Sequence, residues 1–377
     1  MSGHGKKRGM LVFFIIFVGH LFRRLMKCDG GKVTINDVAK AAGVSKGTVD
    51  RVLHDRGEVS RKSREKVLKV IEELGYTPNF HASLLASQKE RVICCVVPEC
   101  KEGEFWSMTL KGVQDASEIV SRYGVRVICV RFDQYSVESF RNACNTVLSQ
   151  DVSGVLMAPM FRDETRSFIS ALSASGIPYM FLDSKIDGAD YLAYFGMPMY
   201  ESGVLCADIL TGGRYVPEKV YVVRISRDKT GLSDPTAARR AGFIDYMGRH
   251  FPDVVIEHVF IDPNDAASIR EKLDSSVGKE KGRRFIVMFN SRIHLVADYL
   301  AFRGLEDCRV VGFDALERNV EALRAGFVHA LIAQHTDRQA LDAVNVMADH
   351  IVMGVPVVKR DNFTQMDILN RYNCDYY

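Results

Sequence analysis

The sequence predicts a small all-α head followed by an α/β body of two doubly wound parallel-sheet lobes. Three observations carry that prediction. Residues 33–74 hold three short amphipathic helical patterns in close succession, apolar runs alternate with amphipathic stretches from Arg91 onward, and 377 residues exceed one small domain.

In the head, Thr34 is placed to cap a first helix with Asp37 three residues on, and Ile35, Val38 and Ala39 then fall on one face. Gly43 ends that helix. Ser45 opens a second, whose Val49, Val52 and Leu53 share a face. Only a short turn around Gly43 and Val44 separates the two, which is the spacing of a helix-turn-helix. Ser60 caps a third helix, in which Val67, Val70, Ile71 and Leu74 recur at helical spacing before Gly75. Such periodicity fits any small helical bundle as well as a DNA-binding one.

The ordered motifs are more specific. VTINDVAKAAGVSKGTVDRVL, then VSRKSREKV, then LGYTPN closely resembles the DNA-binding domain of the lactose-repressor (LacI) family of bacterial transcription regulators. The resemblance implies that the second helix enters the major groove of double-stranded operator DNA, with Lys46 and Gly47 facing base edges and Arg51 one turn further. Arg51 is the best candidate for a base contact, because a guanidinium bonds guanine O6 and N7 together. Thr34, Ser45, Thr48 and Ser60 offer hydroxyls near helix starts, where phosphates dock. Two positions depart from the family. Asp50 stands where a serine is more usual, and a carboxylate near phosphates is repelled unless it accepts from a cytosine amino group or pairs with Arg51. Gly47 gives up a side chain at a position that commonly reads sequence.

After Gly75, Tyr76, Thr77, Pro78 and Asn79 leave the helix, and Asn79 can cap a short segment over 80–86. By its residues alone this is a linker helix with a buried leucine. The resemblance implies a hinge helix instead, paired with its twin in a homodimer. Asn79 and Ala82 then lie at the DNA, and Leu85 is pushed into a minor-groove base step. Phe80, His81 and Ser83 are less typical of such hinges. The head is thus placed at 32–78, hinge and linker at 79–90, and the body at 91–377.

Charge agrees with this division. Residues 1–31 carry six Lys and Arg against one acidic residue, 32–91 twelve against eight, and the remainder 32 against 38, for net charges of +5, +4 and −6. The basic excess lies on the side of the head, as suits a phosphate-binding module with an acidic partner domain. Hydrophobic residues make up 47% of the chain, enough for sizeable cores. Nine cysteines, with no CxxC pair and no His/Cys cluster, argue against a disulfide framework and a zinc site. No metal or cofactor is expected. Cys94 and Cys95, in an apolar run, read as buried thiols of a reducing cytoplasm.

Lys6, Lys7 and Arg8 precede an apolar run at 10–18 in the manner of a secretory signal. The run is short for a bilayer, Gly19 and His20 break it, Arg23 and Arg24 follow, and no small-residue cleavage site appears. Met26 and Lys27 before Cys28 also spoil a lipoprotein-type signal. The expectation is a start assigned too early, with Met26 as the N-terminus and 1–31 as an extension.

In the body, 92–97, 125–130, 154–158 and 178–182 read as strands, with helical patterns from Thr109, Val137 and Thr165. A second series follows at 220–225, 254–260, 285–289 and 310–313. Such βαβ alternation makes parallel sheets. The order resembles the type I periplasmic sugar-binding-protein fold that forms the body of this repressor family, which implies lobe crossings near 197, 334 and 355. There is no GxxxxGK[ST] loop, no GxGxxG after the first strand and no GxSxG elbow, so nucleotide-dependent and hydrolytic enzymes are disfavoured and no catalytic residue is expected.

Ligands of open α/β sheets bind beyond the carboxyl ends of strands. Asp183, Asn290, Asp314 and Gln334 each end an apolar run, Arg239 lies four residues before an aromatic in AARRAGF, and Phe105 and Trp106 follow the first strand. The set fits a polyol: carboxylates accept from hydroxyls, Arg and Asn donate, and aromatic faces, Trp106 above all, stack on C–H surfaces. Taken singly, a strand-end Asp is as often a turn former, and an Arg at a helix start a surface charge. The combined expectation is a dimeric, cytoplasmic transcriptional repressor whose operator affinity is controlled by a carbohydrate. From another class, the competing expectation is an exported or membrane-tethered solute-binding protein with a relic head.

Overall fold

The computed structural model describes residues 33–53, 59–74, 90–212, 217–225 and 236–377. The extension at 1–31 and the hinge residues Asn79, Ala82 and Leu85 lie outside them. Two units make up the chain, Met1–Gln88 and Lys89–Tyr377.

Among the described residues, the first unit contains three helices: α1 (Ile35–Ala42), α2 (Lys46–Leu53) and α3 (Arg61–Leu74). Thr34 and Asp37 make a reciprocal capping box at α1, with Thr34 N to Asp37 Oδ2 at 2.8 Å and Asp37 N to Thr34 Oγ1 at 3.4 Å. The Thr34 hydroxyl, donating to Asp37 Oδ2 at 2.7 Å, and the Thr34 backbone N–H together hold the Asp37 carboxyl below its usual range. Gly43 closes α1 at φ 63°, a left-handed conformation that costs a residue without Cβ little. Ser45 Oγ accepts from Thr48 N at 3.1 Å and Ser60 Oγ from Ser63 N at 3.2 Å, so each later helix also begins on a hydroxyl. Val38, Ala39, Ala42, Val49, Val52, Val67 and Val70 bury together as the core of the three.

The second unit has two sheets. The first lobe contains β1 (Arg91–Pro98), α4 (Phe105–Val120), β2 (Val125–Phe132), α5 (Val137–Leu148), β3 (Gly154–Met157), α6 (Arg162–Ala174), β4 (Tyr179–Leu182) and β5 (Ala193–Gly196). The second contains α7 (Met199–Thr211), β6 (Lys219–Ile225), α8 (Ala237–His250), β7 (Val255–Ile261), α9 (Ala266–Ser275), β8 (Arg284–Met288), α10 (His294–Arg303), β9 (Cys308–Phe313), α11 (Glu317–Arg324) and β10 (Ala330–Gln334). The chain then runs through α12 (Thr336–Met353), β11 (Asp361–Phe363) and β12 (Met366–Leu369). Strand order is β11-β5-β4-β3-β1-β2 in one sheet and β12-β10-β9-β8-β6-β7 in the other. All pairings are parallel except β10 with β12. Setting the edge strands β11 and β12 aside, the two orders correspond, and β4 of one lobe occupies the place of β9 in the other.

Helices cover both faces of each sheet, which is why central strands such as RVICCVVP are apolar throughout rather than alternating. Helix α12 packs through Ala340, Ala343, Val344 and Met347 onto the first sheet, so the chain crosses from β10 back to the first lobe. The chain passes from β5 to α7 near 197 and from β10 to α12 near 334. The third crossing does not fall near 355. Strand β11 still pairs with β5, Asp361 opposite Tyr194 and Phe363 opposite Gly196, and the crossing follows at Thr364 and Gln365. Three residues, DNF, with no apolar alternation gave no strand signal there.

Candidate ligand cleft and nucleic-acid surface

A cavity of about 420 Å³ opens between the two lobes at the carboxyl ends of their strands, within the usual size of small-molecule sites, about 300–1,000 Å³. Phe105, Trp106, Asp183, Arg239, Asn290, Asp314 and Gln334 all line it. Asp183 follows β4 and Asp314 follows β9, so each lobe sends one carboxylate from corresponding strand ends. Both residues are left-handed, φ 64° and 66°, a conformation that Asp and Asn tolerate better than other side chains. Gln334 Nε2 donates to Asp314 Oδ1 at 3.1 Å. Burial pushes Asp183 up to about 7, with the charge of Asp314 adding and Arg239 and Gln334 opposing. It pushes Asp314 up to about 6, again against Arg239 and Gln334.

Arg239 reaches the cleft because α7 and α8 cross in contact. A Cβ at Gly203 would lie 1.7 Å from the Arg239 carbonyl oxygen, so only glycine permits that approach. The guanidinium is then built into the second lobe. Its Nε donates to Ser202 Oγ at 3.1 Å, one Nη to the Phe289 carbonyl, and the other to the sulfurs of Met197 and Met199 at 2.9 and 3.4 Å. Its carbon stands 3.9 Å from the centroid of Phe313. Burial lowers its pKa, while Asp314 and Asp183 oppose that shift. The arginine that sequence reasoning cast as a ligand donor therefore has most of its five N–H groups committed to protein.

Behind the cleft, Gln339 Nε2 donates to Gln334 Oε1 at 3.2 Å and to Thr364 Oγ1 at 2.8 Å, and Thr364 Oγ1 donates to the Gly196 carbonyl at 3.3 Å. This chain of bonds starts at the Asp314 carboxylate and touches all three crossings between the lobes. Asn319, fully buried on α11, donates to the carbonyls of Ser291, Phe313 and Asp314 and accepts from His294 N, tying the loops after β8 and β9 together. Ser202, Asn319, Gln339 and Thr364 were not foreseen, because they lie inside helices or a crossing and no strand-end pattern marks them. Trp106 differs from expectation in another way. It is 5% exposed and belongs to the first-lobe core, with Phe105 edge-on at 5.0 Å, so the half-buried Phe105 presents the larger aromatic surface to the cleft.

On α2, Val49 and Val52 face the core while Lys46, Gly47 and Arg51 are exposed. Asp50 is half-buried and already engaged within the structure. The hydroxyls of Thr34, Ser45, Thr48 and Ser60 stand at helix starts but are held in capping bonds, such as Ser45 Oγ to Thr48 Oγ1 at 2.9 Å. Space is open at Gly47, where an added Cβ would meet only Ser45 Oγ at 3.8 Å.

Residues 34–79 match the family of bacterial regulatory proteins of the lacI type, and residues 93–354 match the periplasmic binding protein domain. The chain joins a lacI-type DNA-binding domain to a periplasmic binding protein domain. Among its relatives, the HTH-type transcriptional regulator DegA of Bacillus subtilis is 30% identical over 39% of the chain and 42% of its own length. The matched stretch thus spans about two fifths of that relative. The ribose operon repressor of Bacillus subtilis is 27% identical over 76% of the chain and 82% of its length. A crystallised Bacteroides fragilis protein described as a LacI transcriptional regulator superposes with a TM-score of 0.71 at 29% identity, covering 77% of this chain and all of that one. The fold is the expected one, a helical head and two parallel-sheet lobes. Among the described residues no helix is long and apolar enough to cross a membrane, and no cluster of His, Cys, Asp and Glu is placed to hold a metal ion.

Proposed function

We propose that this LacI-family chain is a sequence-specific DNA-binding transcriptional repressor whose operator affinity is set by a sugar or sugar derivative in the inter-lobe cleft. One observation carries the reading: the same chain joins a capped helix exposing Lys46 and Arg51 to a lobe-spanning cavity with a carboxylate from each side. Lys46 and Arg51 are assigned to base edges, and Thr34, Ser45, Thr48 and Ser60 to the phosphate backbone. Phe105, Asp183, Asn290 and Asp314 are assigned to the ligand, with Arg239, Gln334 and Trp106 holding them in place. A ligand gripping both lobes favours their closed arrangement. That shift biases how two heads of a homodimer meet the half-sites of a near-palindromic operator. The regulator acts in the cytoplasm, where its DNA is, and catalyses no reaction.

Relatives named as transcriptional regulators, one of them a ribose operon repressor, support this assignment. Fluorescence anisotropy on DNA from upstream of its own gene tests it. Salt-sensitive, sequence-specific binding that is lost in Arg51→Ala is the expected result. Binding that is indifferent to sequence and to Arg51 would refute it. A thermal-shift screen of sugars, with Asp314→Ala as control, tests the cleft: a stabilising sugar should lose its effect in the variant.

A further inference from the structure

We propose that Cys95 and Cys129 are a reversible redox pair: hydrogen peroxide oxidises Cys129 first, and Cys95 then closes a disulfide onto it. The two are free thiols on neighbouring strands, β1 and β2, and stand opposite one another in the parallel register. Adjacent strands lie about 4.8 Å apart, inside the roughly 4.4–6.8 Å that a disulfide spans between Cα atoms. The backbone therefore already holds them within bonding reach. The thiols also meet, since the Cys95 S–H donates to the Cys129 sulfur. No CxxC motif marks the pair, because strand pairing rather than sequence spacing creates it.

Their surroundings differ, and the difference divides the roles. Cys95 is fully buried in the core cluster that holds Val113 and Ala116 of α4, whereas Cys129 is exposed on β2, the edge strand of its sheet. The hydrogen bond from Cys95 lowers the Cys129 thiol, and Arg131, the next residue on the same face of β2, acts in the same direction against burial. The hollow beside Cys129 is lined by three cations, Lys101, Lys111 and Arg131, against one carboxylate, Glu102, among the described residues. A reachable thiol of lowered pKa beside a second thiol is the arrangement that peroxide oxidises reversibly. Other thiols of the first lobe are poorer nucleophiles. Burial pushes Cys94 and Cys144 up to about 12 and also raises Cys100, with Arg131 opposing and Glu104 adding.

In the first step the Cys129 sulfur attacks one peroxide oxygen, the O–O bond breaks, and the departing hydroxide leaves as water with the Cys129 proton, which makes a sulfenic acid. Cys95 then attacks that sulfur, and its own proton leaves with the displaced hydroxyl as a second water. Two thiols and one peroxide become one disulfide and two waters. To test this, the reduced full chain is treated with hydrogen peroxide, its remaining thiols are alkylated, and the digest is read by mass spectrometry. The expected product joins the peptides of Cys95 and Cys129 with the loss of two hydrogens, and dithiothreitol separates them again. The link should persist in Cys94→Ala and Cys100→Ser and be lost in Cys95→Ala, where dimedone should instead label Cys129 as its sulfenic acid. If Cys95→Ala, which empties a core site, fails to fold, the other two variants still identify the partner by elimination. Four outcomes overturn the proposal: Cys129 that alkylates as readily after peroxide as before, Cys129 that passes to sulfinic acid without a link, a link from Cys129 to Cys94 or Cys100, or one through Cys129 to a second copy of the chain.

Discussion

On α2, Lys46 and Arg51 project from a helix whose opposite face, Val49 and Val52, does the folding. In the cleft, Arg239, Asp314 and Gln334 are only 4%, 6% and 7% exposed, and each is bonded into the frame that presents it. Recognition and folding are separable in the first region and fused in the second. A change to the face proposed to read DNA should alter affinity alone. A change to the cleft should alter affinity and stability together, because a buried polar group that loses its partner is costly.

The largest expected effect tests the fused case. Arg239→Ala removes the bonds to Ser202 and Phe289 and leaves Asp183 and Asp314 facing each other without a cation, which should cost about 3–5 kcal/mol in urea unfolding. A loss below about 1 kcal/mol would show that the arginine is no part of the frame. Arg51→Ala tests the separable case: operator affinity should fall about 10–100-fold, equivalent to about 1–3 kcal/mol, while the melting curve stays where it is. Next comes Gln339→Leu, which leaves Gln334 Oε1 without its donor and should cost about 1–2 kcal/mol in urea unfolding. Its effect on ligand response should exceed that of an equally destabilising core substitution, since the bonds to Gln334 and Thr364 touch the crossings. The smallest is Thr34→Ala, which opens the capping box and should cost the head about 1 kcal/mol in a thermal melt. Asp37, whose pKa Thr34 lowers, adds stability above its usual value near 3.8 and loses it as pH falls through the folded pKa, so the native head should weaken more in acid than the variant does.

The same contrast governs what the sequence revealed. In the head every determinant is local: Thr34 with Asp37, Gly43, Ser45 and Ser60 mark helix ends within a few residues of the groups they satisfy, and the valines repeat at helical spacing. In the cleft, Asp183, Asn290, Asp314 and Gln334 were legible because strand ends are where open sheets hold ligands. Their partners were not. Ser202 meets Arg239 across 37 residues, and Thr364 meets Gly196 across 168, contacts that only the assembled lobes create. Trp106 was expected as a stacking surface because it is the only tryptophan; it lines the cavity, but most of its surface is packed into the first-lobe core. Strand β11 escaped because three polar-flanked residues at a sheet edge carry no period.

The left-handed backbone at Asp183 and Asp314 also restricts how this cleft can change over time. A longer acid such as Glu is penalised at φ 64° or 66°, whereas Asn and Gly are not. One nucleotide separates an Asp codon from an Asn codon. If these two positions meet the proposed ligand, new preferences there are most accessible through single steps that erase charge while keeping the backbone, one lobe at a time.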